Sequence, residues 1–217
     1  MIRLRPGSQP WREASFAVLD FESTGLDFAR DHVLSYGVVP VDGGRVRLAG
    51  AVYRVVRPPI PLPAASIRVH GIRPSELGDA PPLDEVVREL FAALEGRVLV
   101  AHAAGVELGF LERIRRRHGG PRIRSAIDVL DLAEALSAPG HGGTVRLSAL
   151  AQSMGVPVTR THHALSDALT TAQLFVVLAT RLEARDHGRV VDLRRAGRPQ
   201  IARSSRRLPL DRAARIS

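Results

Sequence analysis

The segment FAVLDFE, Phe16 to Glu22, constrains this chain more than any other. Phe16 to Phe21 is apolar enough to lie inside a sheet and reads as a β-strand. Side chains two apart on a strand share a face, so Asp20 and Glu22 bring two carboxylates into one small region. Like charges that close raise one another's pKa or push the strand apart. Something cationic must sit between them.

The rest of the chain supplies layers around that strand. HVLSYGVVPVDGGRVRLAGAVYRVV holds two β-rich runs around Asp42-Gly43-Gly44, a hairpin signal. RPPIPLPAAS leaves the sheet, and IRVHGIRPSELGDAPP reads as loop and short turn. LDEVVRELFAAL spaces Val86, Val87, Leu90, Phe91 and Leu94 as a helix that Gly96 ends. RVLVA is a short buried-type strand, followed by a helix through about His118. RIRSAIDVLDLAEAL runs from strand to helix near Asp128, RLSALAQSMG is helical, and HALSDALTTAQLFVVLATRLEA is the longest helical pattern. Three strands, then alternating helix and strand, then helices, predict an α/β domain with a mixed sheet.

Charge and composition narrow the chemistry. Cysteine is absent, which removes disulfides, thiolate metal sites and thiol nucleophiles. All 31 basic residues are arginine; without lysine there is no Walker-type phosphate loop, protein-kinase chemistry or Schiff base. GxGxxG is missing, so dinucleotide binding has no support. No run of about 18 apolar residues occurs and the start has no apolar signal, so the expected location is cytoplasmic. The net charge of +9 is uneven: residues 181–217 hold 11 Arg against 4 acids, residues 1–180 hold 20 against 18. The expected division is an N-terminal extension (1–14), a folded domain (15–188) and a basic flexible tail (189–217). The tail is either a solvated end or an arm for phosphate backbones.

Two further acidic clusters matter. Glu107 lies on the helix after RVLVA, and Asp167 lies near the start of the longest helix, with His162 five residues before it. In an α/β sheet, strand ends and adjoining helix starts converge on one crevice. Asp20, Glu22, Glu107 and Asp167 can therefore form one carboxylate cluster. Oxygen ligands without cysteine suit Mg²⁺ or Mn²⁺ better than structural zinc, and a pair of divalent ions answers the demand of the first strand. Simpler roles stand beside these: Asp-x-Glu as solvated surface, Glu107 as an exposed helix residue, and Arg113 to Arg117 as a solvated helix face; Asp128 either caps its helix or steadies the site from outside. His102 as a structural histidine, and Thr24 and Gly25 as turn residues only, complete that set.

DFESTG, HAAGVELGFL and HHALSDA resemble the three motifs of the DEDDh (DnaQ-like) exonuclease superfamily. That group includes the epsilon proofreading subunit of bacterial DNA polymerase III, ribonuclease T and oligoribonuclease. Asp20 to Gly25 match the first motif without a gap, and His162, Ala164 and Asp167 match the third. The HGI of residues 70–72 resembles a segment that follows the third strand in this superfamily. The second motif departs: Glu107 stands where an Asp is usual, and its Asn and Phe are gone.

The resemblance implies a ribonuclease H-like α/β fold, a mixed five-stranded sheet flanked by helices. It implies a two-metal 3′–5′ exonuclease that frees nucleoside monophosphates from single-stranded DNA or RNA 3′ ends, DNA favoured, with a DNA polymerase as a candidate partner. Asp20, Glu22, Asp167 and Glu107 would hold two Mg²⁺ or Mn²⁺ ions, and His162 would be the general base. Thr24, Gly25, Leu26, His70 and His102 would border the substrate. Two rival readings are a catalytically weak nucleic-acid-binding or polymerase-associated module, suggested by the changes around Glu107, and a 3′–5′ exoribonuclease.

Overall fold

A computed structural model of the chain describes residues 7–62, 67, 71–137, 146–158 and 161–198. Its sheet is built on β1 (Ser15–Ser23), antiparallel to β2 (Val33–Asp42) and parallel to β5 (Val98–Ala101), which pairs with β6 (Ile127–Asp128) in parallel. β3 (Arg45–Val46) and β4 (Val52–Val55) both pair with the far edge of β2. The second arm of the expected hairpin is one strand position broken by a 3₁₀ turn, Leu48–Gly50. Six segments thus fill five positions across a mixed sheet. Gly43 and Gly44 both adopt positive φ, as a tight hairpin turn demands.

Seven helices appear among the described residues: α1 (Pro74–Leu77), α2 (Leu83–Leu94), α3 (Gly105–His118), α4 (Val129–Leu136), α5 (Leu147–Ser153), α6 (Ala164–Glu183) and α7 (Val190–Ala196). They cover both sheet faces, and the alternation of β1 shows how. Ala17, Leu19 and Phe21 pack with Leu90 of α2 and Phe110 and Ile114 of α3. Phe16 and Val18 face the other way, into a core with Phe175 and Leu178 of α6, Leu132 of α4 and Leu193 of α7. The Phe16 and Phe175 rings pack at a tilt of 53° with centroids 4.7 Å apart. Asp20 and Glu22 continue the Phe16–Val18 stripe, so both point toward α6. Among the described residues no helix is long and apolar enough to cross a membrane.

The packed unit is wider than the expected 15–188. Trp11 is fully buried against Phe175, and the Pro10–Arg189 bridge ties the two ends of the unit together. Residues 190–196 form α7, which buries Val190 and Leu193, and Asp128 N–H donates to the Gly197 carbonyl at 2.8 Å. The expectation of a flexible tail from 189 is therefore corrected up to residue 197. Two buried apolar residues among arginines are too few to show a helical period. The tail beyond 198 and residues 1–6 lie outside the described residues.

Candidate active site

The first two acids come from the end of β1. Glu22 is buried and Asp20 is half-buried. Asp20 lies opposite Gly37 of β2, and the pairing shifts register between Glu22 and Ser23, where β1 leaves the ladder.

Gly37 determines how the third acid arrives. A Cβ built there would stand within 2.5 Å of the Ala164 carbonyl carbon and the Leu165 nitrogen. The first turn of α6 thus rests directly on the β2 backbone, beside Asp20, and a strand glycine marks that close approach. Asp167, in the same helical turn, is buried and turned toward β1. His162 adopts a left-handed φ of 58°, a strained geometry for a non-glycine residue. That bend aims its backbone N–H at an Asp167 carboxylate oxygen, 2.8 Å away. Ligand atoms of Glu22, His162 and Asp167 all lie within 4.8 Å of one another. His163 faces elsewhere: it caps α6 through Ser166 N–H and stacks on Tyr53 at 4.6 Å.

Glu107 enters from the other side of β1. It lies in the first turn of α3, only 3% exposed, and its Oε2 has no hydrogen-bond partner. The reading of Glu107 as a solvated helix residue is ruled out by that burial. The β5–α3 turn is held by Asp128, whose carboxylate accepts from Ala103 N–H (3.1 Å), Ala104 N–H (2.9 Å) and Leu130 N–H (3.0 Å). Asp128 is therefore both the cap of α4 and the brace behind Glu107.

The electrostatics tie the four acids into one group. Burial, then the charges of Glu22, Asp167 and Glu107, raises the Asp20 carboxyl well above its ordinary range. Burial and the Asp167 charge push Glu22 up to about 8. Burial lifts Asp167 to about 6, against the opposing pull of the His162 N–H. Burial, then Asp128 and Glu22, raises Glu107 well above normal. No arginine forms an ion pair with any of the four among the described residues. Acids raised in this way favour the folded state when protonated. Their support is complete below the unfolded values near 4 and is lost as pH climbs through about 6 for Asp167 and about 8 for Glu22.

The residues expected to border a substrate fall into different places. The Thr24 hydroxyl donates to Asp31 at 2.8 Å and accepts from His32 N–H at 2.9 Å, so its side chain is spent on the loop 24–31. Gly25 lies against the Asp31 carboxylate, where a Cβ would come within 2.6 Å. Leu26 is half-buried on the α2–α3 core. His102 is buried, neither ring nitrogen has a partner, and burial lowers its pKa to about 4. His70 lies outside the described residues. Gly37 and Asp31 escaped sequence reasoning. The signal for Gly37 was a lone glycine inside an apolar strand; for Asp31, in ARDHVL, there was none.

E. coli exonuclease I in complex with a dT13 oligonucleotide superposes with a TM-score of 0.67 at 16% identity, over 80% of this chain and 42% of that one. Exonuclease X, in complex with 5′ overhanging duplex DNA, gives 0.62 at 21% identity, over 82% of this chain and 99% of that one. A DNA polymerase III subunit epsilon-like protein of Rhodobacter capsulatus is 36% identical over 182 residues, 81% of this chain. The PolC-type DNA polymerase III of Thermotoga maritima is 31% identical over 177 residues, again 81% of this chain. The chain spans only 25% and 13% of the lengths of those two relatives. The family model described as "Exonuclease" (RNase_T) matches residues 17–175, a span that contains all four acids and His162. A nuclease fold with that match across most of its length has one place: the chain belongs to the RNase T exonuclease family, among the DnaQ-like enzymes.

Proposed function

We infer that the protein is a divalent-metal-dependent 3′–5′ exonuclease that removes nucleoside monophosphates from single-stranded nucleic acid, DNA in preference to RNA. The observation that supports this most is that Glu22, His162 and Asp167 bring ligand atoms within 4.8 Å of one another. Asp20 and the buried Glu107 are near enough to feel the charge of Glu22, and no arginine is paired to any of the four acids among the described residues. Buried carboxylates that raise one another's pKa cost stability, and a fold keeps such a cost where function needs it.

The donor set fits hard divalent cations: carboxylate oxygens, one imidazole in reach and no thiol. The orphaned Glu107 Oε2 suits the same partner. Asp20, Glu22 and Asp167 would hold one ion, and Asp20 with Glu107 a second. When bound, such ions neutralise the phosphate and make a bound water more acidic. His162 takes the proton of the attacking water, a role imidazoles commonly fill, and its backbone is pinned through Asp167. The backbone of Thr24 to Leu26, fixed by Asp31, borders the terminal nucleotide. Both curated relatives carry DNA polymerase III in their names, which makes a polymerase the favoured partner.

Purified protein with 5′-labelled single-stranded DNA, RNA and Mn²⁺ tests the reading. The expected result is a ladder that shortens from the 3′ end, faster on DNA, and stops with chelator. Internal cuts, or digestion that survives chelator, would contradict it. Glu107→Gln keeps the shape of the side chain and removes its charge, so turnover should fall by roughly 10- to 100-fold with little change in KM. Wild-type turnover in Glu107→Gln would make that acid a bystander.

A further inference from the structure

A cleft of about 190 Å³ opens beside the loop 24–31, away from the acidic centre. Val33, Val56, Phe110 and Ile114 line it, all members of the core under α2 and α3. It therefore lies on the sheet face opposite α6. It is nevertheless at the same end of the sheet as the acids, because Val33 pairs with Ser23 at the end of β1.

Its rim is basic. Arg113 and Arg117 stand four apart on α3 and so share a helix face. His32, His118 and Arg57 add to that rim. The neighbouring Arg115 and Arg116 share Glu112 as an ion-pair partner, each at 2.8 Å, whereas Arg113 and Arg117 have no ion pair among the described residues. Burial, then the charges of Arg113 and Arg117, lowers the pKa of His32, with Asp31 pulling the other way. Two acids also line the cleft. Asp31 spends its oxygens on the Thr24 hydroxyl and Asp27 N–H, and Asp84 lies in the first turn of α2. Arg113 donates to the Asp31 carbonyl, which links the cleft to the loop beside the acids. The run Arg113 to Arg117 is thus not a uniform solvated face. Half of it is internally paired and half lines a cleft.

The geometry points to a second, non-catalytic subsite here, in which Arg117 and Arg113 grip an internucleotide phosphate of the single strand on the 5′ side of the bond being cut. This rests on the exonuclease reading and adds to it the length of strand the protein holds. Ten residues of helix separate Glu107 from Arg117, about 15 Å, a reach of a few nucleotides. Cations at that remove hold a polyanion whose end must enter a nest of carboxylates. Arg117 is exposed, so replacing it leaves the core intact.

The test compares Arg117→Glu with Arg116→Glu, the same charge change on the same helix outside the cleft. With a labelled oligothymidylate of about a dozen nucleotides, Arg117→Glu should raise KM roughly tenfold at unchanged kcat. It should also reduce the salt slope of binding by about one. Dinucleotide hydrolysis should stay at the wild-type level, and Arg116→Glu should resemble wild type. An unchanged KM on the long strand overturns the subsite. So does an equal loss in Arg116→Glu or on the dinucleotide. A loss seen only with duplex DNA would assign the phosphate to a complementary strand and overturn the single-strand assignment. Fluorescence anisotropy in chelator reads binding without turnover. If wild type cuts nothing, the exonuclease reading falls, while a weaker affinity in Arg117→Glu alone still supports the subsite and equal affinities sink it.

Discussion

Asp167→Asn is expected to lower kcat on 5′-labelled single-stranded DNA by about a thousandfold or more, with KM nearly unchanged. The amide is isosteric with the carboxylate, and its oxygen can still accept the His162 N–H bond of 2.8 Å. The loop geometry should survive. The negative oxygen that shares a site with Glu22 and His162 is lost, and with it one wall of the cation site. Stability should move the other way. Asp167 adds to the charge that raises both Asp20 and Glu22, so its removal relieves repulsion inside the cleft. In chelator at pH 8, Asp167→Asn should melt above wild type. Opposite signs for activity and stability distinguish a functional acid from a structural one. A variant that keeps its activity, or that loses stability in proportion to activity, would remove Asp167 from the catalytic group.

Gly37→Val should be nearly as damaging, although residue 37 carries no chemistry. Even a Cβ at this position meets the backbone of Ala164 and Leu165 at 2.5 Å, and backbone cannot rotate aside. Either α6 lifts off the sheet or β2 bends, at about 1–3 kcal/mol or more for overpacking of this kind. Asp167 and His162 ride on that end of α6. A shift near 1 Å can cost a catalytic site about a hundredfold, so kcat should fall at least that far even well below the melting temperature. Gly37→Ala should show the same direction more mildly. Wild-type kcat in a folded Gly37→Val protein would mean that α6 reaches the acids without this close contact.

Much of the architecture was legible because its signals are local. Alternation along Phe16 to Glu22 put both acids on the face that proves to meet α6, and helical spacing from Ala164 to Glu183 placed Asp167 in a first turn. The parts that escaped depend on contacts between distant segments. The break between β3 and β4 leaves the two runs readable as one strand. Trp11 joins the core through Phe175, and α7 through Leu193 and the bond from Asp128 N–H to Gly197, and both sets of partners lie far away in sequence. The burial of Glu107 is set by Asp128, which grips the turn before α3 from a different strand. Arg113 and Arg116 look alike in the run RIRRR, and only the positions of Glu112 and Asp31 separate a paired arginine from one facing a cleft.

The central claim is that these carboxylates are crowded in order to hold divalent cations, and calorimetric melting of the chelated protein tests it most directly. Without metal, melting temperature should fall as pH rises from 6 to 8, the interval in which Glu22 and its neighbours are forced to ionise. Saturating Mn²⁺ should raise the melting temperature at pH 8 by roughly 5–10 °C and flatten that slope. A melting temperature that ignores Mn²⁺ at pH 8, with the slope intact, would contradict the account.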